Sequence, residues 1–264
     1  VARPGPAEAA SLAGLAAVTG RGRAAAALLR LAAPLDTPST WDGQPVIAPL
    51  QVKETALALL AYAALGAPVD SIRALMRRAG QQIDSWFEPP QRERVRNAVL
   101  HVPAQLAFPA LGITPVHRRE AGGNYLLEMQ WALRQGDTSV VRARFERIRA
   151  LRAPRSRPGD VAIEFTYGEA WLLLAMRDSS AAAQLLDLSL EALPTLGTHL
   201  LDEVPQAGGL LKAMVLRADL AARAGERATA GRWGNAVATL WAGADPELGP
   251  IVSRMRALAA DRNR

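Results

Sequence analysis

The feature that most constrains the fold is a repeated alternation of apolar, helix-forming segments with tight turns. Alanine and leucine supply the bulk of the apolar residues, and both favour helices over strands. Glycine or proline follows many of these segments, at the position where a helix ends. The predicted helical segments are Leu12 to Val18, Ala24 to Leu31, Leu57 to Leu65, Tyr125 to Leu133, Val140 to Leu151, Ala162 to Met176, Ala181 to Leu193, Met214 to Ala224, Ala228 to Trp241 and Pro246 to Ala260.

The signals at the helix starts and the absence of strand patterns lead to the same fold class. Asp70 precedes a further predicted helix, the one that carries Ile72, Leu75 and Met76, while Asp137 and Asp245 precede the segments that begin at Val140 and Pro246. An aspartate in this place can cap the free N–H groups of a helix. No run of alternating β-branched residues is long enough to predict a sheet. We therefore expect an all-α fold of about 10–13 helices, in which each helical hairpin buries an apolar stripe against its neighbours.

Five of the predicted turns align at one spacing: a residue in the first helix, the turn residue four positions later (glycine in four of the five), a residue five further on, and a residue four beyond that, which is large in the first four sets. The sets read Ala16, Gly20, Ala25, Leu29; Tyr62, Gly66, Ser71, Leu75; Ala132, Gly136, Val141, Phe145; Leu173, Arg177, Ala182, Leu186; and Ala221, Gly225, Ala230, Gly234.

This pattern resembles the tetratricopeptide-repeat (TPR) family. Arg177 replaces the turn glycine in the fourth set, and Gly234 replaces the last large residue in the fifth. The spacing of the turns is irregular, whereas a regular TPR array repeats every ~34 residues. The resemblance implies degenerate helical hairpins stacked as an α-solenoid with irregular connectors, and binding of other proteins as the function.

The C-terminal part carries a second resemblance. The stretch from Ala221 through Trp241 to Leu248 is similar to the C-terminal repeat region of some bacterial signalling proteins, including receptor-type serine/threonine kinases. The chain has no glycine-rich phosphate loop and no HRD or DFG triplet, so nothing in it resembles their kinase domain.

Two segments interrupt the helical pattern. Pro34 to Pro49 is predicted to be an extended loop. Residues 101–123 contain Pro103, Pro109 and Pro115 among apolar residues, which is typical of a packed connector. We expect one α-solenoid over residues 1–264, with a possible subdivision into N-terminal repeats (1–100), this connector, and C-terminal repeats (124–264).

Catalytic and metal-binding patterns are missing from the sequence. There is no cysteine, and no HExxH, GxSxG, Walker or GxGxxG motif. The three histidines, His101, His117 and His199, have no partner at metal-ligand spacing. We therefore expect no enzyme activity, cofactor or metal. An enzyme whose residues meet only in the fold remains an alternative, as does a small-molecule site near residues 122–125.

Positive charge is concentrated in the middle of the chain. The net charge is +6, and residues 71–157 hold 16 arginines against 7 acidic residues. A helix over Val140 to Leu151 turns Val141, Phe145 and Ile148 inward and spreads its arginines over the outer faces. One interpretation is a solvated helix that is arginine-rich for codon reasons. The other is a surface that binds an acidic protein or an anionic membrane. Scarce aromatics and irregular spacing argue against nucleic acid as the partner.

Aromatic residues fall into two groups. Trp131, Trp171 and Trp233 lie inside predicted helices and are expected in the core. Others lie in or beside loops, where they either pack under the loop or anchor a partner. The residues proposed to bind protein are Trp41, Trp86, Phe87, Phe108, Arg142, Arg144, Arg149 and Arg152.

The function expected from these observations is a non-catalytic scaffold for other protein subunits. One form is an accessory subunit at the periphery of a membrane assembly, and a photosynthetic reaction-centre or light-harvesting complex is one candidate host. The alternatives are an adaptor or sensory repeat domain of a bacterial signalling protein and a small-molecule-binding regulatory domain. No stretch is long and apolar enough to span a bilayer. The lack of cysteine and of an initiator methionine favours an extracytoplasmic location.

Overall fold

The protein is helical over nearly all of the residues that its structure describes. The computed structural model describes residues 4–32, 39–41, 44–46, 48–96, 125–152, 163–195 and 204–261. Within them the fold is all-α, with helix also over 89–96 and one short hairpin of two strands. The elements are α1 (Pro6–Val18), α2 (Gly22–Ala32), β1 (Ser39–Trp41), β2 (Gln44–Val46), α3 (Leu50–Leu65), α4 (Val69–Trp86), α5 (Tyr125–Arg134), α6 (Thr138–Arg152), α7 (Ile163–Ala175), α8 (Ser179–Glu191), α9 (Val204–Ala224), α10 (Arg227–Leu240) and α11 (Gly249–Asp261).

The five predicted turns have the same backbone geometry, which confirms their positions. The residue at each turn has a positive φ: Gly20, Gly66, Gly136, Arg177 and Gly225. At the first turn, the N–H of Gly20 donates to the carbonyl of Ala17 (2.9 Å) and that of Arg21 to Ala16 (2.8 Å). The same two bonds close the other four turns. This is the Schellman motif, which satisfies the last carbonyls of a helix and needs a left-handed residue.

Helix α9 lies at the centre of the described fold. It contacts α1, α3, α7, α8, α10 and α11, and most of its residues are buried. It approaches α3 closely because Gly208 has no side chain: a Cβ there would lie 2.3 Å from the carbonyl oxygen of Ala64. The longest described helix therefore packs against six others at the centre of the core, and it is not equivalent to the other helices as a member of a regular repeat would be.

The helices follow chain order in one part of the fold and depart from it in another. From α5 to α10, hairpins that are neighbours in the chain pack on one another. However, α1 and α3 also pack against α9, far along the chain. One hydrophobic core therefore includes residues of both predicted halves, for example Leu59 and Leu211, and a second, smaller core lies around α5 and α6.

A buried arginine ties α8, α9 and α10 together. The Nε and Nη2 of Arg217 donate to the two carboxylate oxygens of Asp187 (2.6 and 3.0 Å), and Nη2 also donates to Glu226 (2.8 Å). Burial lowers the pKa of Arg217, but these hydrogen bonds outweigh it and hold that pKa above its usual value. The guanidinium is thus a charged link between three helices, and not an exposed binding group.

Three local predictions are wrong. In the segment predicted as an extended loop, β1 and β2 pair antiparallel with Thr40 opposite Pro45; strands of three residues are too short to give a periodic pattern. Asp70 is not an N-cap, because α4 already begins at Val69 after Pro68. Asp245 precedes a short 3₁₀ turn, Pro246–Leu248, without capping it. The connector 101–123 lies outside the described residues.

Candidate functional site

The α5–α6 hairpin contains the helix whose outer arginines were proposed to bind protein, α6. Its turn is Gly136, and Asp137 then caps α6 as predicted: its Oδ1 accepts hydrogen bonds from the backbone N–H of Val140 (3.1 Å) and the hydroxyl of Ser139 (2.8 Å). These bonds, led by the one from Val140, lower the pKa of Asp137. The carboxylate thus remains ionised beside the positive end of the α6 dipole.

The inner face of α6 is the one predicted from its periodicity. Val141 is fully buried, Phe145 is buried, and Ile148 packs against them. Their partners are Leu126, Met129 and Ala132 of α5, Leu172 of α7, and Met176 directly after α7. This contact fixes the orientation of α6, so the positions of its outer residues follow from helical geometry.

A cleft of about 420 Å³ lies between α5 and α6. Its polar part contains an ion pair, in which Nη2 of Arg144 lies 3.3 Å from Oε2 of Glu128. Trp131 is half-buried in the wall contributed by α5. The full lining is Glu128, Met129, Trp131, Ala132, Gln135, Asp137, Val140 and Arg144.

The predicted arginines do not form one cluster. Arg142 and Arg149 are exposed and, seven residues apart, lie on the same side of α6. Arg144 lies about 160° away around the helix, where it lines the cleft. Arg152 belongs to the last turn of α6, and its side chain is outside the description.

The side of α6 that borders the cleft combines charge with exposed apolar residues. Val140 and Arg144 line the cleft, and Arg147 and Leu151 continue the same side at helical spacing. Val140 is 52% exposed and Leu151 57%. We refer to Val140, Arg144, Arg147 and Leu151 as the cleft-side stripe. Neither of its apolar members was among the residues predicted to bind protein.

The predicted aromatic anchors are distributed over other elements. Trp86, the last residue of α4, is 59% exposed, whereas the adjacent Phe87 packs against the main core. Trp41 lies in β1 opposite Gln44, and Phe108 lies outside the described residues. Of the three tryptophans expected in the core, Trp233 is buried while Trp131 and Trp171 are half-buried.

A second cleft, of about 370 Å³, lies among α2, α3 and α4. Its polar residues include Arg23, Tyr62 and Glu247. Arg23 forms an ion pair with Glu247, and desolvation raises the pKa of Tyr62. Because Arg23 is already paired with Glu247, which lines the same cleft, this cleft offers a partner less unpaired charge than α6 does.

One buried lysine was not predicted from the sequence. Lys212 of α9 donates from Nζ to the carbonyl of Ala63 at the end of α3 (3.1 Å) and lies 4.7 Å from the ring centroid of Tyr167. Burial raises the pKa of Tyr167 to about 12. A cation at a helix C-terminus is favourable, so Lys212 stabilises the contact between α3 and α9. No sequence signal separates this lysine from a solvated one.

The parts of the chain that the structure describes contain no group of three histidine, cysteine, aspartate or glutamate side chains able to hold a metal ion. The three histidines lie outside those parts. None of the described helices is both long enough and apolar enough to cross a membrane. Comparison with protein-family models, with curated proteins and with solved structures finds no match to the chain.

Proposed function

We propose that this protein is a non-catalytic helical scaffold that binds another protein through the α5–α6 hairpin, as an accessory subunit or adaptor. The observation that carries the proposal is the cleft-side stripe of α6. Arginine is enriched in protein interfaces, and the exposed apolar side chains beside it at the rim of the cleft give a partner apolar surface to bury. Val140 and Leu151 are among the most exposed large apolar residues that the structure describes.

The stripe is suited to binding because the opposite side of α6 already holds the helix in place. Val141 and Phe145 anchor it in the smaller core, so the outer side chains are displayed from a rigid element. A binding surface on a packed helix loses less conformational entropy on association than one on a loop. The ion pair between Arg144 and Glu128 further restrains one member of the stripe.

The TPR-like arrangement is part of this proposal. Its support is the recurrence of one turn geometry at five predicted positions and the chain-order packing of hairpins from α5 to α10. Helical hairpins stacked in this way commonly expose surfaces that bind proteins.

The test is co-migration. Native extract is solubilised in mild detergent and separated by size-exclusion chromatography, and proteins that elute with the chain are identified by mass spectrometry. We expect the wild-type chain to elute within a discrete complex and Val140→Asp to elute alone. Leu188→Asp is the matched control, because Leu188 on α8 is also 52% exposed but lies away from the stripe. A wild-type chain that elutes alone, or a control that dissociates equally, would contradict the proposal.

A further inference from the structure

The charges of the cleft-side stripe indicate what kind of segment it binds. Arg144 is paired with Glu128, whereas Arg147 is exposed and forms no ion pair with any residue that the structure describes. The unpaired cation lies between two exposed apolar residues, Val140 and Leu151. A complementary surface therefore has a carboxylate between apolar groups.

The spacing of the stripe indicates the shape of that segment. From Val140 to Leu151 the helix advances through 11 residues, which is about 16 Å at 1.5 Å per residue. Members at four, seven and eleven residues from Val140 form a narrow line along the helix. A second helix laid beside such a line meets it with residues at the same spacing.

The cleft adds a place for one large side chain. Its volume of about 420 Å³ lies within the usual range of binding pockets, roughly 300–1,000 Å³. Met129, Trp131 and Ala132 supply apolar wall. Its two carboxylates are both engaged, Glu128 with Arg144 and Asp137 with the start of α6. An apolar side chain of the partner therefore suits the cleft, and a carboxylate of the partner suits Arg147 outside it.

We infer that the cleft-side stripe binds an acidic amphipathic helix of another protein, with a large apolar side chain in the α5–α6 cleft and a carboxylate against Arg147. This inference rests on the proposed function and specifies the partner. A second copy of this chain is a poor occupant, because a two-fold contact of the stripe with itself would bring the arginines of one copy against those of the other. A membrane surface is a poor one as well, since a flat headgroup layer does not enter a cleft.

Photo-crosslinking of the full chain tests the inference. Val140 is replaced by benzoylphenylalanine, the chain is irradiated in native extract, and the crosslinked peptide is sequenced. The experiment is repeated in two charge-reversed backgrounds, Arg147→Glu on the stripe and Arg149→Glu on the other side of the same helix. Both arginines are exposed. Each variant replaces one arginine by one glutamate, so the two have the same net charge and differ only in where the charge is reversed.

We expect the crosslinked peptide to be acidic with apolar residues at helical spacing. Crosslinking should fall at least ~10-fold with Arg147→Glu, as expected for reversal of a close interfacial charge, and stay within ~2-fold with Arg149→Glu. A neutral or basic peptide, a lipid adduct, an adduct to a second copy, or equal loss in both variants would overturn the inference while leaving protein binding possible. No protein adduct at all would contradict the proposed function as well.

Discussion

The carboxylate of Asp245 accepts a hydrogen bond from the backbone N–H of Arg23, 222 residues earlier in the chain, at 2.8 Å. The backbone N–H of Asp245 also donates to the carbonyl of Gly20 (3.0 Å). The loop after α10 thus caps the start of α2, and it is held in place by a hydrogen bond to the turn between α1 and α2. Trp241 is buried against the same turn. These bonds close the N-terminal hairpin onto the C-terminal part of the fold.

We expect Asp245→Ala to lower the free energy of unfolding by about 1 kcal/mol, the usual cost of losing an N-cap side chain. Equilibrium unfolding in urea measures this loss. Asp261→Ala is the control, because Asp261 is exposed at the end of α11, and its removal should change stability by less than about 0.5 kcal/mol. Equal effects of the two substitutions would show that the bond to Arg23 contributes nothing.

Helix ends are predictable from this sequence because their chemistry is local. Both Schellman bonds join residues within one stretch of six, so a glycine at the turn and the residues next to it determine them. The cap supplied by Asp245 is not predictable in this way, since it joins residues 222 apart. The same limit applies to the packing of α1 and α3 on α9, where the sequence shows apolar faces but not which faces meet.

Arg177 is the one residue other than glycine that has a positive φ among the described residues, at 62°. A side chain in this region costs about 1–2 kcal/mol relative to the right-handed conformation. We therefore expect Arg177→Gly to raise the free energy of unfolding by about 0.5–1 kcal/mol, the glycine gain being reduced by its entropy in the unfolded chain. Thermal and urea unfolding both measure it.

The converse substitution provides the comparison for Arg177. Gly136 has φ 79°, and a Cβ there would meet no atom within 4 Å. Gly136→Ala therefore tests backbone conformation alone and should destabilise by about 1 kcal/mol. If Arg177→Gly destabilises as well, contacts of the arginine side chain must outweigh the relief of backbone strain.

Gly208 should reverse the usual effect of a glycine-to-alanine substitution within a helix. Alanine is normally preferred by about 0.5–1 kcal/mol. At Gly208, however, a Cβ would lie 2.3 Å from the oxygen and 2.4 Å from the carbon of the Ala64 carbonyl. We expect Gly208→Ala to destabilise by about 1–3 kcal/mol, because α9 and α3 must separate.

Gly80 of α4 is the matched control for Gly208. It is also helical, but a Cβ there would meet nothing within 4 Å, so Gly80→Ala should stabilise by up to about 1 kcal/mol. Opposite signs for the two substitutions, measured by urea unfolding, are the expected result. Stabilisation by both would mean that α9 does not approach α3 as closely as the structure places it.

The candidate site shows a similar boundary between local and non-local information. The inward positions of Val141, Phe145 and Ile148 follow from the helical period, and they are confirmed. The ion pair of Arg144 with Glu128 depends on how α5 lies beside α6. For this reason the sequence spread the arginines over the outer faces of α6 without indicating which of them would meet α5. In the folded hairpin Arg144 lines the cleft, on the other side of α6 from Arg142 and Arg149.

Two carboxylates should make opposite contributions to the pH dependence of stability. The hydrogen bond from Arg23 lowers the pKa of Glu247 in the folded state. Its contribution is therefore present above its unfolded pKa, about 4.3, and is lost as pH falls through the folded value. We expect Glu247→Gln to be less stable than wild type near pH 7, with a difference that disappears in acid. The effect should be small, since exposed ion pairs contribute little.

Asp219 should behave in the other direction. Desolvation raises its folded-state pKa, and Arg254, whose Nη2 lies 3.0 Å from Oδ2 of Asp219, offsets this only in part. The folded state therefore binds the proton more tightly than the unfolded chain, and the ionised carboxylate lowers stability above the folded pKa. We expect Asp219→Asn to be at least as stable as wild type near pH 7, with wild type gaining relative to it as pH falls through that pKa. Urea unfolding of both variants across pH measures the two slopes, and a loss of stability in Asp219→Asn at pH 7 would mean that the ion pair with Arg254 outweighs desolvation.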